Sequence, residues 1–319
     1  ARLSAAAPDW TLAMTQQCLI DTDIGDDVDD AFGLALAAVL PAVHLCGVTT
    51  VCGPVVMRAR LASQLLAAAG QQPPVVAGSS TMSNGRPGSA RFSHWPVLNP
   101  PAHSDQESGQ AVLHTAVQLI LERSHDHAPL TIIALGPLTN IAMALQRDPT
   151  LAERARLVAM GGKLGLPYPD WNIRCDPQAA QRVLASGMPI TLVGMHVTMR
   201  AKMQPPQMQQ LFTSQEPITV QLARCVLAWR TWKRRIPILH DALTVAVAAD
   251  ATFARLVARR VRVFNSGFSI AQRGHPNALV CTAIDIARFQ ALIDTYLLDN
   301  LAGSAHKPGL IARLLARIA

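Results

Sequence analysis

One stretch of ten residues, 21–30, holds six of the 21 acidic residues of a chain whose net charge is +7. Carboxylates this close repel one another and raise each other's pKa unless water or a cation compensates the charge. Water is a poor candidate because apolar sequence flanks the run: residues 18–20 predict a short buried strand and residues 31–40 a buried helix. The run therefore predicts a site for Ca²⁺ or Mg²⁺, with a solvated loop that caps the helix as the alternative.

Short apolar runs alternate with helical segments along most of the chain. Strands are predicted near 43–51, 74–78, 130–135, 157–160 and 189–193. Helices are predicted near 55–69, 110–123, 137–145, 177–187, 242–249 and 286–298, and the stretch 204–235 is predicted to be mostly helical. Two further short strands are predicted near 261 and 279–281. This alternation is typical of an α/β fold with an open, mostly parallel sheet and helices on both sides. We predict an N-terminal extension over 1–17 and a single domain over 18–319.

Composition narrows the class of protein. Half of the residues are hydrophobic and 15% are charged, which supports a large buried core. The basic residues are scattered apart from the run 233–235, and aromatic residues make up 4%, so we expect no nucleic-acid partner. The six cysteines show no C-x-x-C pair, which favours reduced core thiols in a cytoplasmic protein. Residues 1–17 lack a signal-peptide pattern and no run offers about 20 clean apolar residues, so we expect a soluble protein without a membrane partner.

Polar motifs follow several of the predicted strands. Alone, each has an ordinary interpretation: Asn140 can brace a turn, and Asp241 can cap a helix. Together and in this order, they resemble the nucleoside hydrolase family of the inosine–uridine-preferring type, over roughly residues 18–290. The matching segments are Asp21-Thr22-Asp23-x-Gly25 with Asp29-Asp30-Ala31, Gly47 to Val51, Ala134 to Ala142, Met160-Gly161-Gly162, Asn172-Ile173-x-x-Asp176-Pro177, and His240 to Leu243.

The resemblance implies a metal-dependent glycosidase. Members of the family cleave the N-glycosidic bond of ribonucleosides, releasing base and ribose in purine and pyrimidine salvage, with Ca²⁺ at the floor of the pocket. Carried over to this chain, Asp23, Asp30 and Asp241 are expected to bind Ca²⁺ together with the backbone carbonyl of Leu135. Asp23 is also expected to be the base that activates water, as a carboxylate beside a metal can be.

The resemblance also implies substrate contacts. Asp29 and Asn172 are expected to bind ribose hydroxyls, and His240 to help the base leave. The other predicted substrate-binding residues are Asp170, Met160 and His94, the last with a surface histidine as the alternative. Members are commonly dimers or tetramers, so we expect a homodimer or homotetramer that acts on a small-molecule nucleoside.

This chain departs from the family pattern at several positions. Asp26 and Asp27 lengthen the acidic loop, Pro54 and Leu164 stand where asparagine is usual, and Asp170 stands where glutamate is usual. These changes keep the expected metal ligands but remove ribose donors. One alternative is therefore a catalytically weak or inactive binder of a ribose-containing ligand such as ADP-ribose, whose phosphates could meet the basic run 230–235. A second alternative is a metal-dependent phosphate-ester hydrolase.

Overall fold

A nine-stranded sheet forms the centre of the protein, whose computed structural model describes residues 15–98, 112–164, 168–233 and 235–298. Its strands are β1 (Gln16–Thr22), β2 (Val43–Thr50), β3 (Val75–Ala77), β4 (Leu130–Ala134), β5 (Ala155–Met160), β6 (Ile190–Val193), β7 (Ala254–Val263), β8 (Ser269–Gln272) and β9 (Ala278–Ile284). Their order across the sheet is β3-β2-β1-β4-β5-β6-β9-β7-β8. From β3 to β9 all neighbours are parallel, whereas β7 pairs antiparallel with β9 and β8.

Helices cover both faces of this sheet. They are α1 (Asp29–Val39), α2 (Val55–Ala68), α3 (Val112–Asp126), α4 (Thr139–Arg147), α5 (Leu151–Arg154), α6 (Trp171–Cys175), α7 (Pro177–Leu184), α8 (Met195–Thr198), α9 (Pro205–Thr213), α10 (Pro217–Arg230), α11 (His240–Ala249) and α12 (Ile286–Ile293), followed by a π-helical turn, Asp294–Leu298. Side chains alternate between the two faces of a strand. Accordingly, Cys18 and Ile20 of β1 join the core under α1, α2, α10, α11 and α12, and Leu19 joins the core under α3, α4 and α7. The predicted fold class is confirmed.

The winding of the chain reverses between β1 and β4. From β1 the chain adds β2 and β3 on one side, and then returns to add β4, β5 and β6 on the other. Asp21 of β1 pairs with Ala134 of β4, so the carboxyl ends of these two strands lie side by side. Ligands of open α/β sheets bind in the crevice at such a reversal. The acidic loop after β1 and residue Leu135 after β4 open onto this crevice.

Several predictions about elements need correction. The strand predicted near 261 is ten residues long, and arginines at 255, 259, 260 and 262 interrupt its apolar pattern and hide its length. The neighbouring edge strand β8 was not predicted. The short helix α6 was not predicted, and the first strand begins at Gln16 rather than at 18. Predictions that fall on 1–14, 99–111 and 299–319 lie outside the described residues.

Two predictions from composition can be compared directly with the fold. All six cysteines are free thiols, five of them buried and Cys175 partly exposed, as expected of core residues. Among the described helices, none combines the length and the apolar character needed to cross a membrane.

Candidate functional site

A buried arginine binds the backbone of the acidic loop through hydrogen bonds. Arg58 of α2 is fully buried; its Nε donates to the carbonyl of Cys52 at 2.7 Å, and its Nη1 donates to the carbonyls of Ile24, at 2.8 Å, and Asp23. One planar guanidinium thus determines the path of two loops. Burial raises the pKa of the Asp23 carboxyl to about 6, and the Arg58 charge opposes that rise.

Three carboxylates meet above this loop. Oxygens of Asp29, Asp30 and Asp241 lie within 4.8 Å of one another, and all three side chains are buried. The first two begin α1, and Asp241 lies in the first turn of α11. The two helices approach closely at Gly33, where an added Cβ would lie 3.0 Å from Cβ of Asp241 and 3.1 Å from Cδ1 of Leu135. The absence of a side chain at 33 lets α11 bring Asp241 to the acidic loop.

Repulsion between the buried carboxylates of this cluster would be relieved by a bound cation. Burial, and then the neighbouring carboxylates, raise the pKa of Asp29, Asp30 and Asp241 well above the ordinary range. Asp23 contributes to the rise in all three. The Thr22 hydroxyl donates to Asp30, but Oδ1 of Asp241 is buried without a hydrogen-bond partner among the described residues. A buried, oxygen-only, negatively charged group of this kind fits a hard divalent cation.

The carboxylate cluster differs in one member from the predicted ligand set. Asp29, which was predicted to bind a ribose hydroxyl, belongs to the carboxylate cluster. Asp23 is not one of the three members, but its charge raises the pKa of Asp241. Within the described ranges this is the only such group of three or more acidic, histidine or cysteine side chains.

Residues from the ends of β4 and β5 and from α6 complete the floor. Nδ2 of Asn172 donates to the carbonyl of Leu135 at 2.6 Å and to the carbonyl of Met160 at 3.1 Å. Asn172 lies on α6, which is capped by Asp170: this carboxylate accepts from the backbone N–H of Ile173 at 3.1 Å and of Gly162 at 2.9 Å. Asp170 is not among the residues that line the cavity, and these hydrogen bonds hold the start of α6, which carries Asn172. Its contact with substrate stays a prediction.

A cavity of about 460 Å³ opens above the carboxylate cluster. It brings together most of the predicted site residues: Asp23, Asp29, Asp30, Leu135, Met160, Asn172, His240 and Asp241. The inserted Asp26 and Asp27 also line it. His94 does not: it is completely buried, so the alternative of a surface histidine is wrong, and its backbone N–H donates to Gly25 of the acidic loop at 3.2 Å.

His240 faces the cavity as a neutral ring. Its Nδ1 lies 2.7 Å from the hydroxyl oxygen of Thr198. Burial lowers the pKa of His240 to about 4, an effect that Asp27 opposes and that Arg235 and Lys163 strengthen. At neutral pH the imidazole is therefore uncharged and can donate a hydrogen bond from one nitrogen only.

Most of the upper wall of the cavity was missed by sequence reasoning, except for the basic run 230–235, which was expected to meet phosphates if the ligand were ADP-ribose. The wall is aromatic, apolar and cationic, formed by Arg91, Lys163, Tyr168, Trp171, Met195, Met199, Trp229, Trp232, Lys233, Arg235, Ile236 and Ile238. Two signals were available: Lys163 directly follows the glycine pair at the end of β5, and residues 233–235 form the compact basic run. Leu164 and Pro54 do not line the cavity, and Leu164 packs against the core under α7.

Comparisons of the sequence with known protein families and with individual proteins agree with one another. The chain matches the inosine-uridine preferring nucleoside hydrolase family over residues 18–291. It is 39% identical over 197 residues to the uncharacterised protein C1683.06c of Schizosaccharomyces pombe, a match covering 56% of this chain and 61% of that protein. It is 33% identical over 217 residues to uridine nucleosidase 1 of Arabidopsis thaliana, covering 63% of this chain and 62% of that protein. These matches span about six-tenths of the length of both curated relatives.

Solved structures share the fold. A plant nucleoside hydrolase, PpNRh1, superposes with a TM-score of 0.76 at 24% identity, over 89% of this chain and 99% of that one. An inosine-guanosine nucleoside hydrolase superposes with a TM-score of 0.77 at 22% identity, with the same coverage. The family match takes in every element that lines the cavity, from the acidic loop to α11, and the chain therefore belongs to the inosine-uridine preferring nucleoside hydrolase family.

Proposed function

We propose that this protein is a Ca²⁺-dependent nucleoside hydrolase, which cleaves the N-glycosidic bond of a ribonucleoside and releases the free base and ribose. The observation that carries the proposal is the buried carboxylate cluster of Asp29, Asp30 and Asp241, with its unpartnered oxygen, at the floor of the cavity. Family membership and the similarity to a uridine nucleosidase support the same activity. A cytoplasmic location and a homodimeric or homotetrameric state stay predictions.

The floor suits a ribose in the transition state. Water adds its oxygen to C1′ while the C1′–N bond breaks and its electron pair leaves with the base, so positive charge develops on the sugar ring. Asp23 is the proposed acceptor of the water proton, because a carboxylate with a pKa of about 6 is a competent base near neutral pH. Asp29 and Asn172 are proposed to hold ribose hydroxyls and so fix C1′ against the water.

The donor set at the floor suits calcium. Asp23, Asp30, Asp241 and the carbonyl of Leu135 are the proposed ligands, with Asp29 beside them. The Leu135 carbonyl accepts from Asn172 and retains a second lone pair. The group is made of hard oxygens without cysteine or histidine, which favours Ca²⁺ over Zn²⁺. When bound, the ion supplies positive charge that neutralises the carboxylates and makes a nearby water easier to deprotonate.

His240 is the proposed donor to the leaving base. If the Thr198 hydroxyl donates to Nδ1, the ring hydrogen lies on Nε2, on the opposite edge of the imidazole. A neutral donor of this kind stabilises the negative charge that develops on the departing base without adding a positive charge near the sugar.

A product screen tests the function. Uridine, cytidine, inosine, adenosine and guanosine are incubated with the full chain and Ca²⁺, and base, ribose and phosphate are separated. We expect equimolar base and ribose from at least one nucleoside, loss of turnover with chelator, and recovery with added Ca²⁺. Release of phosphate from phosphate esters without release of base from any nucleoside would replace the proposal with an ester hydrolase. Tight binding of ADP-ribose without any turnover would identify an inactive binder instead.

A further inference from the structure

The cavity carries opposite charges at its two ends. Its floor holds the carboxylate cluster, whereas Lys163, Lys233 and Arg235 on the upper wall form what we call the cationic rim. Within the part of the chain that the structure describes, none of these three side chains forms an ion pair with a carboxylate. Arg91, a fourth cation on this wall, already lies 3.9 Å from Asp26.

Lys163 is the most constrained member of the cationic rim. Its side chain is 3% exposed, and its Nζ lies 2.9 Å from the ring centroid of Tyr168, which is itself 55% exposed and covers it. The carboxylate that attracts Lys163 is Asp170, but its Oδ1 accepts the backbone N–H of Ile173 in α6 and its Oδ2 accepts that of Gly162 after β5. A covered ammonium without a counter-ion is unfavourable, and an anion supplied by a ligand removes the penalty.

Arg235, which is exposed, lines the same cavity as Lys163 and His240. Lys233 also lies against an aromatic ring, 4.9 Å from the centroid of Trp232, but it is only half-buried, whereas Lys163 is buried. An anionic group in this cavity can be bound by Arg235 through paired N–H donors and by Lys163 as a buried point charge.

The position of this anion on a substrate follows from the floor. This step rests on the proposed function: if the 2′ and 3′ hydroxyls of a ribonucleoside bind at the carboxylate cluster, an anion on either of them would be repelled. The 5′ carbon is then the remaining ribose position for it. We propose that the preferred substrate is a ribonucleoside 5′-monophosphate, held by Lys163 and Arg235 and hydrolysed to free base and ribose 5-phosphate. The C1′–N bond breaks and a C1′–O bond forms with water, as for a nucleoside, and the phosphate ester stays intact.

Matched substrate pairs test this proposal. The ratio of kcat/KM for UMP to that for uridine, and for IMP to inosine, is measured with Ca²⁺ on the full chain. We expect the ratio to favour the monophosphate at least tenfold for one pair. Lys163→Gln and Arg235→Gln should each lower it at least fivefold, and Lys163→Arg should restore part of it. Arg259→Gln, an exposed change on β7 away from the cavity, should keep the wild-type ratio.

The outcomes separate the two proposals. If nucleosides are cleaved, the kcat/KM ratio of monophosphate to nucleoside is near or below one, and the variants of the cationic rim do not change it, the phosphate site is wrong. The proposed nucleoside hydrolase activity is then unaffected. Release of inorganic phosphate from UMP also overturns it. If no substrate is hydrolysed, the proposed function fails, and calorimetry with UMP and with ribose 5-phosphate decides the remaining question. Binding weakened at least tenfold in Lys163→Gln then supports an anion site, and absence of binding overturns it.

Discussion

Two carboxylates at the carboxyl end of β1, Asp21 and Asp23, have different environments and therefore different roles. Oδ1 of Asp21 accepts from the Thr49 hydroxyl at 2.6 Å and from Nδ2 of Asn140 at 2.7 Å, inside the core. Asn140 also donates to the carbonyl of Thr50 at 3.0 Å and accepts from Ser79. The interpretation of Asn140 as a brace is confirmed. Asp23, two residues after Asp21, instead lines the cavity, so the proton transfer we propose belongs to it.

Asp23→Asn is expected to lower kcat about 10²–10⁴-fold, because the amide keeps the shape of the side chain but does not accept a proton. Release of base from the best nucleoside measures the effect. Asp285→Asn is the matched control, since Asp285 only caps α12 and asparagine caps equally well. Turnover of the Asp23 variant within about tenfold of wild type would remove Asp23 from the role of base.

His240→Ala is expected to reduce turnover of a natural nucleoside about a hundredfold, and of p-nitrophenyl riboside by less than about fivefold, because an activated leaving group needs little donor assistance. Thr198→Val keeps the imidazole but removes its partner, so its loss should be smaller and show the same substrate dependence. Equal losses on both substrates would mean that His240 only positions the start of α11.

At the scale of elements, the contact between α1 and α11 builds the carboxylate cluster. Both helices are apolar on nearly all sides and buried, which is typical of helices in the centre of a core. Asp29 and Asp30 lie in the first turn of α1, where the helix dipole favours negative charge. The third carboxylate comes from α11, and its distance from the other two is limited by the spacing of the helices at Gly33.

Gly33→Ala is expected to weaken the stabilisation of the protein by Ca²⁺ several-fold, because the new methyl group displaces Asp241 by a few tenths of an ångström. The readout is the Ca²⁺-induced change in melting temperature, since alanine in a helix adds a separate gain of up to about 1 kcal/mol. Gly47→Ala is the control: its Cβ would lie 3.2 Å from Cδ2 of Leu119 in the other core layer. It should lower the melting temperature and leave the Ca²⁺-induced change intact. A Ca²⁺ response of Gly33→Ala equal to that of wild type would contradict this account.

For the whole molecule, metal binding couples the two halves of the sheet. The proposed ligands come from the acidic loop after β1, from α1, from the end of β4 and from α11, and they are separated by up to 218 positions, between Asp23 and Asp241. The unfolded chain does not hold these groups together, so the ion binds the native state. Such binding stabilises the folded protein by RT ln(1 + [L]/Kd), about 2.7 kcal/mol at a hundredfold excess over Kd.

Ca²⁺ added to chelated protein should therefore raise the melting temperature by roughly 5 °C, given a change of about 2 °C per kcal/mol in a protein of this size. Asp241→Ala should abolish most of that rise, whereas Asp126→Ala, an exposed change on α3, should retain it. A melting temperature insensitive to both chelator and Ca²⁺, with no ion in the purified protein, would refute the calcium site.

Local patterns in the sequence were sufficient for the fold class, the acidic loop and most of the cavity floor. Hydrophobic periodicity and charge density are properties of neighbouring residues, so the elements around Asp23, Asp30 and Asp241 could be assigned without the structure. The weakest assignments fell on the arginine-rich strand at the sheet edge, where solvent exposure removes the apolar signal.

Tertiary contacts decided which of these residues face the cavity. Asp29 joins the tight carboxylate group because α11 packs on α1, and Asp170 caps a helix because Gly162 and Ile173 present their N–H groups to it. Among the described residues Lys163 forms no ion pair, because the oxygens of Asp170 accept backbone N–H groups instead. The direction in which a side chain points depends on contacts between residues far apart in the chain, and these contacts exist only once the sheet has brought its strand ends together.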